Sequence, residues 1–219
     1  MELKLGPTEN HYRPVIKYLN SLKNNIKIIE IGAGSRILEK FIPKNITYHS
    51  LDYNSEHMKK YHNTKHDFNF NLDYGKLPIK NESYDVIICL ETLEHTKYPQ
   101  KVIDEIKRIG KKNATFIISI PNDYNFVMRL YYLLGKKTMV DEPFMVVEKS
   151  LHIHKVRVKD ILAIMEKNFK VDKIEYIWQS RSSMNSKIAL FIDKIINYFA
   201  QINPDLFARI VLVKSTNKD

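Results

Sequence analysis

Lys27-Ile28-Ile29-Glu30-Ile31-Gly32-Ala33-Gly34 is a short apolar run that stops on two glycines. It reads as a buried strand from Lys27 to Ile31 followed by a sharp backbone turn, with Ser35 capping a short helix through Phe41 and Pro43 closing it. Glycines between a strand and a helix let a ligand approach the main chain closely. A dinucleotide fingerprint, Gly-x-Gly-x-x-Gly, would need a third glycine at position 37, where Ile37 stands. The turn therefore suits a nucleoside-type cofactor without a pyrophosphate.

Outward from this turn, short apolar runs alternate with amphipathic stretches. Upstream, Pro7 to Leu22 reads as a helix. Downstream come a strand from Ile46 to Leu51 with Asp52 at its end, a brief helix from Ser55 to Tyr61, and a weak strand from Lys65 to Phe68. Tyr84 to Leu90 is an unbroken apolar run of the kind found in sheets covered on both faces. A helix from Pro99 to Ile109 and a strand from Thr115 to Ile120 follow, then an aromatic and basic segment, about 121–155, that reads as an inserted lid. A helix from Val158 to Phe169, a strand from Val171 to Trp178, a helix from Ser186 to Ile202 and a strand from Phe207 to Val213 complete the pattern, the last two spanning about 186–214. The alternation predicts an α/β fold in one domain, 1–219, with a mostly parallel sheet and a ligand site beyond the carboxyl ends of the strands.

The 219 residues are 44% hydrophobic and 27% charged, which excludes a disordered or collagen-like chain. One cysteine, Cys89, excludes an intramolecular disulfide and a Cys-rich zinc module, and its place inside an apolar strand makes it a poor nucleophile. The start, Met1-Glu2-Leu3-Lys4, lacks a signal-peptide pattern, and no apolar stretch approaches the ~18 residues of a membrane span. A cytoplasmic location is expected. The net charge of +10 favours anionic partners, yet the lysines are spread out rather than blocked, so RNA is the less favoured partner.

Four stretches in order carry a resemblance: Glu30-Ile31-Gly32-Ala33-Gly34; Leu77-Pro78-Ile79-Lys80-Asn81-Glu82-Ser83-Tyr84-Asp85-Val86-Ile87-Ile88; Leu90-Glu91-Thr92-Leu93-Glu94-His95; and Ile118-Ser119-Ile120-Pro121-Asn122. Over roughly 25–175 the chain resembles class I S-adenosyl-L-methionine-dependent methyltransferases of the small-molecule, type 11-like group. The resemblance implies a Rossmann-like, seven-stranded, mostly parallel sheet with helices on both faces and a lid after strand 5. It implies that S-adenosyl-L-methionine is the cofactor, bound by Glu30, Gly32, Ala33, Gly34, Asp52, Tyr53, Asp67, Asp73, Leu90 and Glu91. In that family the glycine loop passes under the methionine and ribose, an acidic residue ending strand 2 takes the ribose hydroxyls (Asp52), and an Asp after strand 3 takes the adenine amino group. For the adenine, Asp67 and Asp73 compete, with Asp67 preferred. Arg36 stands where the family's last loop glycine would be.

Methyl transfer from a sulfonium needs alignment and exclusion of water, plus a base when the acceptor is a hydroxyl. His95 is the candidate base, against a purely structural role. His152 and His154 read as exposed loop histidines rather than pocket groups. Glu91 and Glu94 read as a cofactor-side and a structural carboxylate; the less favoured alternative, implied by a similar motif in some quinone-precursor methyltransferases, is an oxygen-rich metal site of Glu91, Glu94 and His95, and no metal ligand is assigned. On the helix from Ser186, Ile188, Phe191, Ile192, Ile195, Ile196 and Phe199 form an apolar face that is expected to pack on the sheet, with peripheral membrane contact as the alternative. The expected reaction is methylation of a small-molecule acceptor, at a hydroxyl of a sugar, lipid-linked or quinone-like compound. An RNA methyltransferase and a non-catalytic cofactor-binding module are the rivals.

Overall fold

The computed structural model describes residues 11–23, 25–53, 65–136, 152–178 and 187–218. The strands are β1 (Lys27–Ile31), β2 (Thr47–Asp52), β3 (Phe68–Asn69), β4 (Tyr84–Leu90), β5 (Gly110–Pro121), β6 (Phe169–Ile177) and β7 (Ile210–Asn217). They form one seven-stranded sheet in the order β3-β2-β1-β4-β5-β7-β6, parallel except for β7, which runs antiparallel to both β5 and β6. The helices are α1 (Tyr12–Leu19), α2 (Pro99–Ile109), α3 (Phe126–Leu133), α4 (Val158–Asn168), α5 (Lys187–Ile202) and α6 (Pro204–Phe207). The expected mostly parallel sheet is present. No helix among the described residues is long and apolar enough to cross a membrane.

Strand pleating sorts β4 between two cores. Ile87 and Cys89 join one cluster with Ile29 and Ile31, while Val86, Ile88 and Leu90 join another with Ile28. Val102, Ile103, Ile106 and Ile109 of α2 are buried in the first; Val15 and Leu19 of α1, with Leu38, close the second. Helices thus cover both faces, and each such apolar side chain contributes about 1.5–3 kcal/mol of burial. The chain leaves β1 toward β2 on one side, and β4 leads to β5 on the other. That reversal opens a crevice beyond the ends of β1 and β4.

Several expectations change. Residues 35–41 form no α-helix, only a 3₁₀ turn from Leu38 to Phe41, because Arg36 has a left-handed backbone, φ +53°, that interrupts helical geometry. β3 is confined to Phe68–Asn69, and β5 starts at Gly110, directly after α2. The lid segment contains α3, whose Asn125 side chain accepts from the Val127 and Met128 N–H groups; the part at 137–151 and the expected helix at 55–61 lie outside the described residues. The last strand begins at Ile210, since Asn203 caps α6 first.

The apolar face of α5 does not pack on the sheet. Ile188 is 73% and Phe191 64% exposed, whereas Asp193 and Ala200 are buried. The inward face is polar because the end of β6 presents groups that need partners. Asp193 Oδ1 accepts from the Trp178 indole N–H (3.1 Å), and the Asn197 amide pairs with the Trp178 main-chain N–H and C=O (2.8 and 2.9 Å).

Candidate active site

At Gly32, φ is +71° and the N–H donates to the Leu51 carbonyl at 2.8 Å, tying the turn to β2. A Cβ there would lie 2.2 Å from Thr92 Oγ1, so the turn and the segment after β4 approach as only glycine permits. Gly34, at φ +48°, faces open space, and its N–H donates to Asp52 Oδ2 at 2.6 Å. Arg36 keeps a glycine-like backbone without being glycine, a conformation that costs on the order of 1 kcal/mol. Its guanidinium offsets this by donating to the Lys65 carbonyl (2.6 Å) and Glu39 (2.7 Å) and by lying over the Tyr48 ring.

A cleft of about 440 Å³ opens at this crevice. Gly32, Gly34, Asp52 and Tyr53 form one wall, the segment Phe70 to Asp73 a second, and Glu91, Thr92, His95 and Thr96 a third. Of the residues assigned from sequence, Gly32, Gly34, Asp52, Tyr53, Asp73, Glu91 and His95 line it; Glu30, Ala33, Asp67 and Leu90 do not. Asp52 is aimed by two main-chain donors, Gly34 on Oδ2 and Tyr53 on Oδ1 (2.6 Å each). Asp73 accepts from the Lys97 N–H at 2.7 Å, and its own N–H is held by Asn71. Asp67, the preferred of the two, is instead occupied by the Ser50 N–H (2.8 Å) and hydroxyl (3.0 Å), which hold its carboxyl below the usual range.

Glu30 is buried on the sheet face that also carries Ile28, where it accepts a hydrogen bond from the Tyr48 hydroxyl. Burial pushes its carboxyl up to about 8. The folded chain then keeps a proton that the unfolded chain releases near 4.5, so this contribution is full below that pH and is lost as pH rises through 8. Glu30→Gln is expected to remove a fall in stability approaching 1.4 kcal/mol per pH unit in that window, read as denaturant midpoints from pH 5 to 8. An unaltered slope would mean that Glu30 is ionised in the folded protein.

Beyond β4, Glu91 sits at φ +47° and accepts from the Ser119 hydroxyl at 2.9 Å; burial raises its carboxyl to about 7. Glu94 is buried with no hydrogen bond to either carboxylate oxygen, and burial, then the Glu91 charge, raises it well above the usual range. His95 Nε2 lies 3.7 Å from Glu94 Oε1, and its ring meets His152 edge-on at 5.0 Å between centroids. His152 Nδ1 is 2.8 Å from Asp123 Oδ1, and His154 Nε2 is 3.0 Å from the Thr96 carbonyl. The Ile153 and His154 N–H groups both donate to the Glu94 carbonyl. These histidines are therefore built into the wall behind His95 and are not free loop residues. Sequence reading set His152 on an exposed loop and passed over Asp123, Asn71, Leu72, Thr92 and Thr96. Thr92, inside the Leu90-to-His95 stretch, and Asp123, just after the Pro121-Asn122 strand end, had a local signal.

A family profile described as a methyltransferase domain matches residues 8–173, more than half of the chain. The chain belongs to that family. It is 30% identical over 105 residues to the uncharacterized protein MJ1123 of Methanocaldococcus jannaschii, covering 45% of this chain and 51% of the relative. It is 24% identical over 149 residues to the ubiquinone biosynthesis O-methyltransferase of Vibrio atlanticus, covering 64% and 61%. The chain thus spans between half and two thirds of these curated relatives. The S-adenosylmethionine-dependent methyltransferase of Mesorhizobium loti superposes with a TM-score of 0.61 at 13% identity, over 97% of this chain and 100% of that one.

Proposed function

We propose that this methyltransferase holds S-adenosyl-L-methionine in the crevice at the ends of β1, β2 and β4 and methylates a hydroxyl of a small sugar, lipid-linked or quinone-like molecule. The observation that carries the reading is the pairing of an open glycine turn with the aimed Asp52 carboxylate across one 440 Å³ cleft. The likeness to an O-methyltransferase of ubiquinone biosynthesis supports oxygen as the acceptor atom.

The residues present suit the cofactor. Gly34 leaves room for a ribose against bare backbone, Asp52 retains lone pairs for a cis-diol, and Asp73 offers a carboxylate to an adenine amino group. Asp73 takes the adenine role here, because Asp67 is already engaged by Ser50. The bound cofactor supplies a methyl group activated by a sulfonium. The chain contributes alignment and exclusion of water, with His95 at the acceptor end placed to act on the hydroxyl.

Calorimetry with S-adenosylhomocysteine is expected to show one site per chain, and no heat at high micromolar ligand would refute the cofactor reading. With methyl-labelled cofactor and a small-molecule extract, His95→Ala is expected to reduce label transfer roughly 100-fold while leaving S-adenosylhomocysteine affinity within about threefold. Undiminished transfer would remove His95 from the acceptor end.

A further inference from the structure

We propose that a cavity of about 480 Å³ between α1 and the sheet binds a small organic diphosphate. The cavity shares no lining residue with the cofactor crevice, and its volume is that of a small-molecule site. Arg13 and Lys17 of α1, Lys173 of β6 and Lys214 of β7 all line it, against a single carboxylate, Glu175.

Two features set these cations apart from scattered surface lysines. The first is the register of β6 against β7. Phe169 to Val171 pair with Asn217 to Ser215, and an unbroken ladder would next set Asp172 against Lys214, an attractive pair. A bulge intervenes and Lys173 stands opposite Lys214 instead, so two ammonium groups are directed to one face of the sheet. Like charges directly opposed are destabilising unless an anion lies between them. Glu175 meets Lys173 at 2.6 Å and the Tyr18 ring centre is 4.4 Å from the Lys214 ammonium, but one carboxylate does not balance four cations. The second feature is on α1, where Arg13 and Lys17, one helical turn apart, share a face and put another pair of like charges on the opposite wall.

Between the two pairs lies an apolar floor of Val15, Ile117 and Leu212, all members of the second core cluster. Two cationic pairs on opposite walls suit two linked phosphates, which Arg takes as a fork and Lys as a point charge. The floor suits the apolar or ring portion of the same molecule. An RNA strand would instead need cations that track along a groove. Here they converge on one cavity, and the lysines of the chain as a whole are spread out.

Calorimetry of the full chain with uridine diphosphate and with inorganic pyrophosphate, at physiological salt, tests the site. One uridine diphosphate is expected to bind per chain, about tenfold more tightly than pyrophosphate because of the apolar floor. Lys17→Gln and Lys214→Gln are each expected to weaken uridine diphosphate binding roughly tenfold. Lys17 is exposed on α1, so its variant stays informative if Lys214→Gln, which also loses the Tyr18 contact, fails to fold. Lys80→Gln, at an exposed lysine outside the cavity, and Asp52→Ala in the cofactor crevice are expected to leave the affinity within about threefold. No saturable heat at millimolar uridine diphosphate, or equal weakening by Lys80→Gln, would overturn the site. So would loss of binding in Asp52→Ala, which would put the ligand in the cofactor crevice, or pyrophosphate binding as tightly as uridine diphosphate. Displacement of uridine diphosphate by a single-stranded RNA of higher affinity would assign the cations to nucleic acid and equally overturn it.

Discussion

Asp52→Ala lowers the affinity for S-adenosylhomocysteine by about 100-fold, the largest binding effect expected of any single side chain in the cleft. The carboxylate ends β2, where its oxygens are already turned by the Gly34 and Tyr53 N–H groups, and each oxygen keeps a lone pair for one ribose hydroxyl. A hydrogen bond to a charged group contributes about 1.5–3 kcal/mol, and at 1.4 kcal/mol per tenfold the loss of the pair reaches two decades even with partial compensation by water. Asp52→Asn keeps one acceptor oxygen and is expected to lose roughly tenfold. Calorimetric affinities of both variants within a factor of three of wild type would remove Asp52 from the ribose and with it the proposed cofactor orientation.

Gly32→Ala destabilises the protein by about 2–5 kcal/mol, the sum of an overpacked contact and a left-handed backbone. The added Cβ would lie 2.2 Å from Thr92 Oγ1 and 2.5 Å from Thr92 Cγ2, and Thr92 cannot retreat freely because its hydroxyl is bonded to the Leu90 carbonyl at 2.8 Å. Gly34→Ala, with nothing within 4 Å of the new atom, is expected to cost only the backbone part, about 1–2 kcal/mol. Thr92→Ala removes the two closest contacts and is expected to rescue part of the Gly32→Ala loss. Denaturant midpoints of the four proteins test this order, and equal midpoints for the two glycine variants would contradict the close approach of the turn to Thr92.

How much was legible follows from range. β1, β4 and α2 are readable to the residue because their signals are local: an apolar run bounded by glycine or a polar residue, and a proline opening a helix with Val102, Ile103, Ile106 and Ile109 on one face. Asp52 and Gly32 were readable for the same reason, since strand ends of a parallel sheet share one edge. The face of α5 was misread because the partners that chose it, the indole and main chain of Trp178, lie 15 and 19 residues away. No periodicity carries that information; a helix turns its polar side inward when buried donors and acceptors there would otherwise be unsatisfied.

From the amino-acid order alone came the layered α/β architecture, the glycine turn and the carboxylate at the end of β2, because nearest-neighbour periodicity and chain direction impose them. Tertiary structure alone decided that Asp73, not Asp67, faces the cleft, and that His152 and Asp123 stand behind His95. Those outcomes depend on hydrogen bonds between groups 17 to 60 residues apart, as between Asp67 and Ser50 and between the segment at 152–154 and Glu94 and Thr96. Which partner a buried polar group finds is settled only when the strands and loops around it have packed.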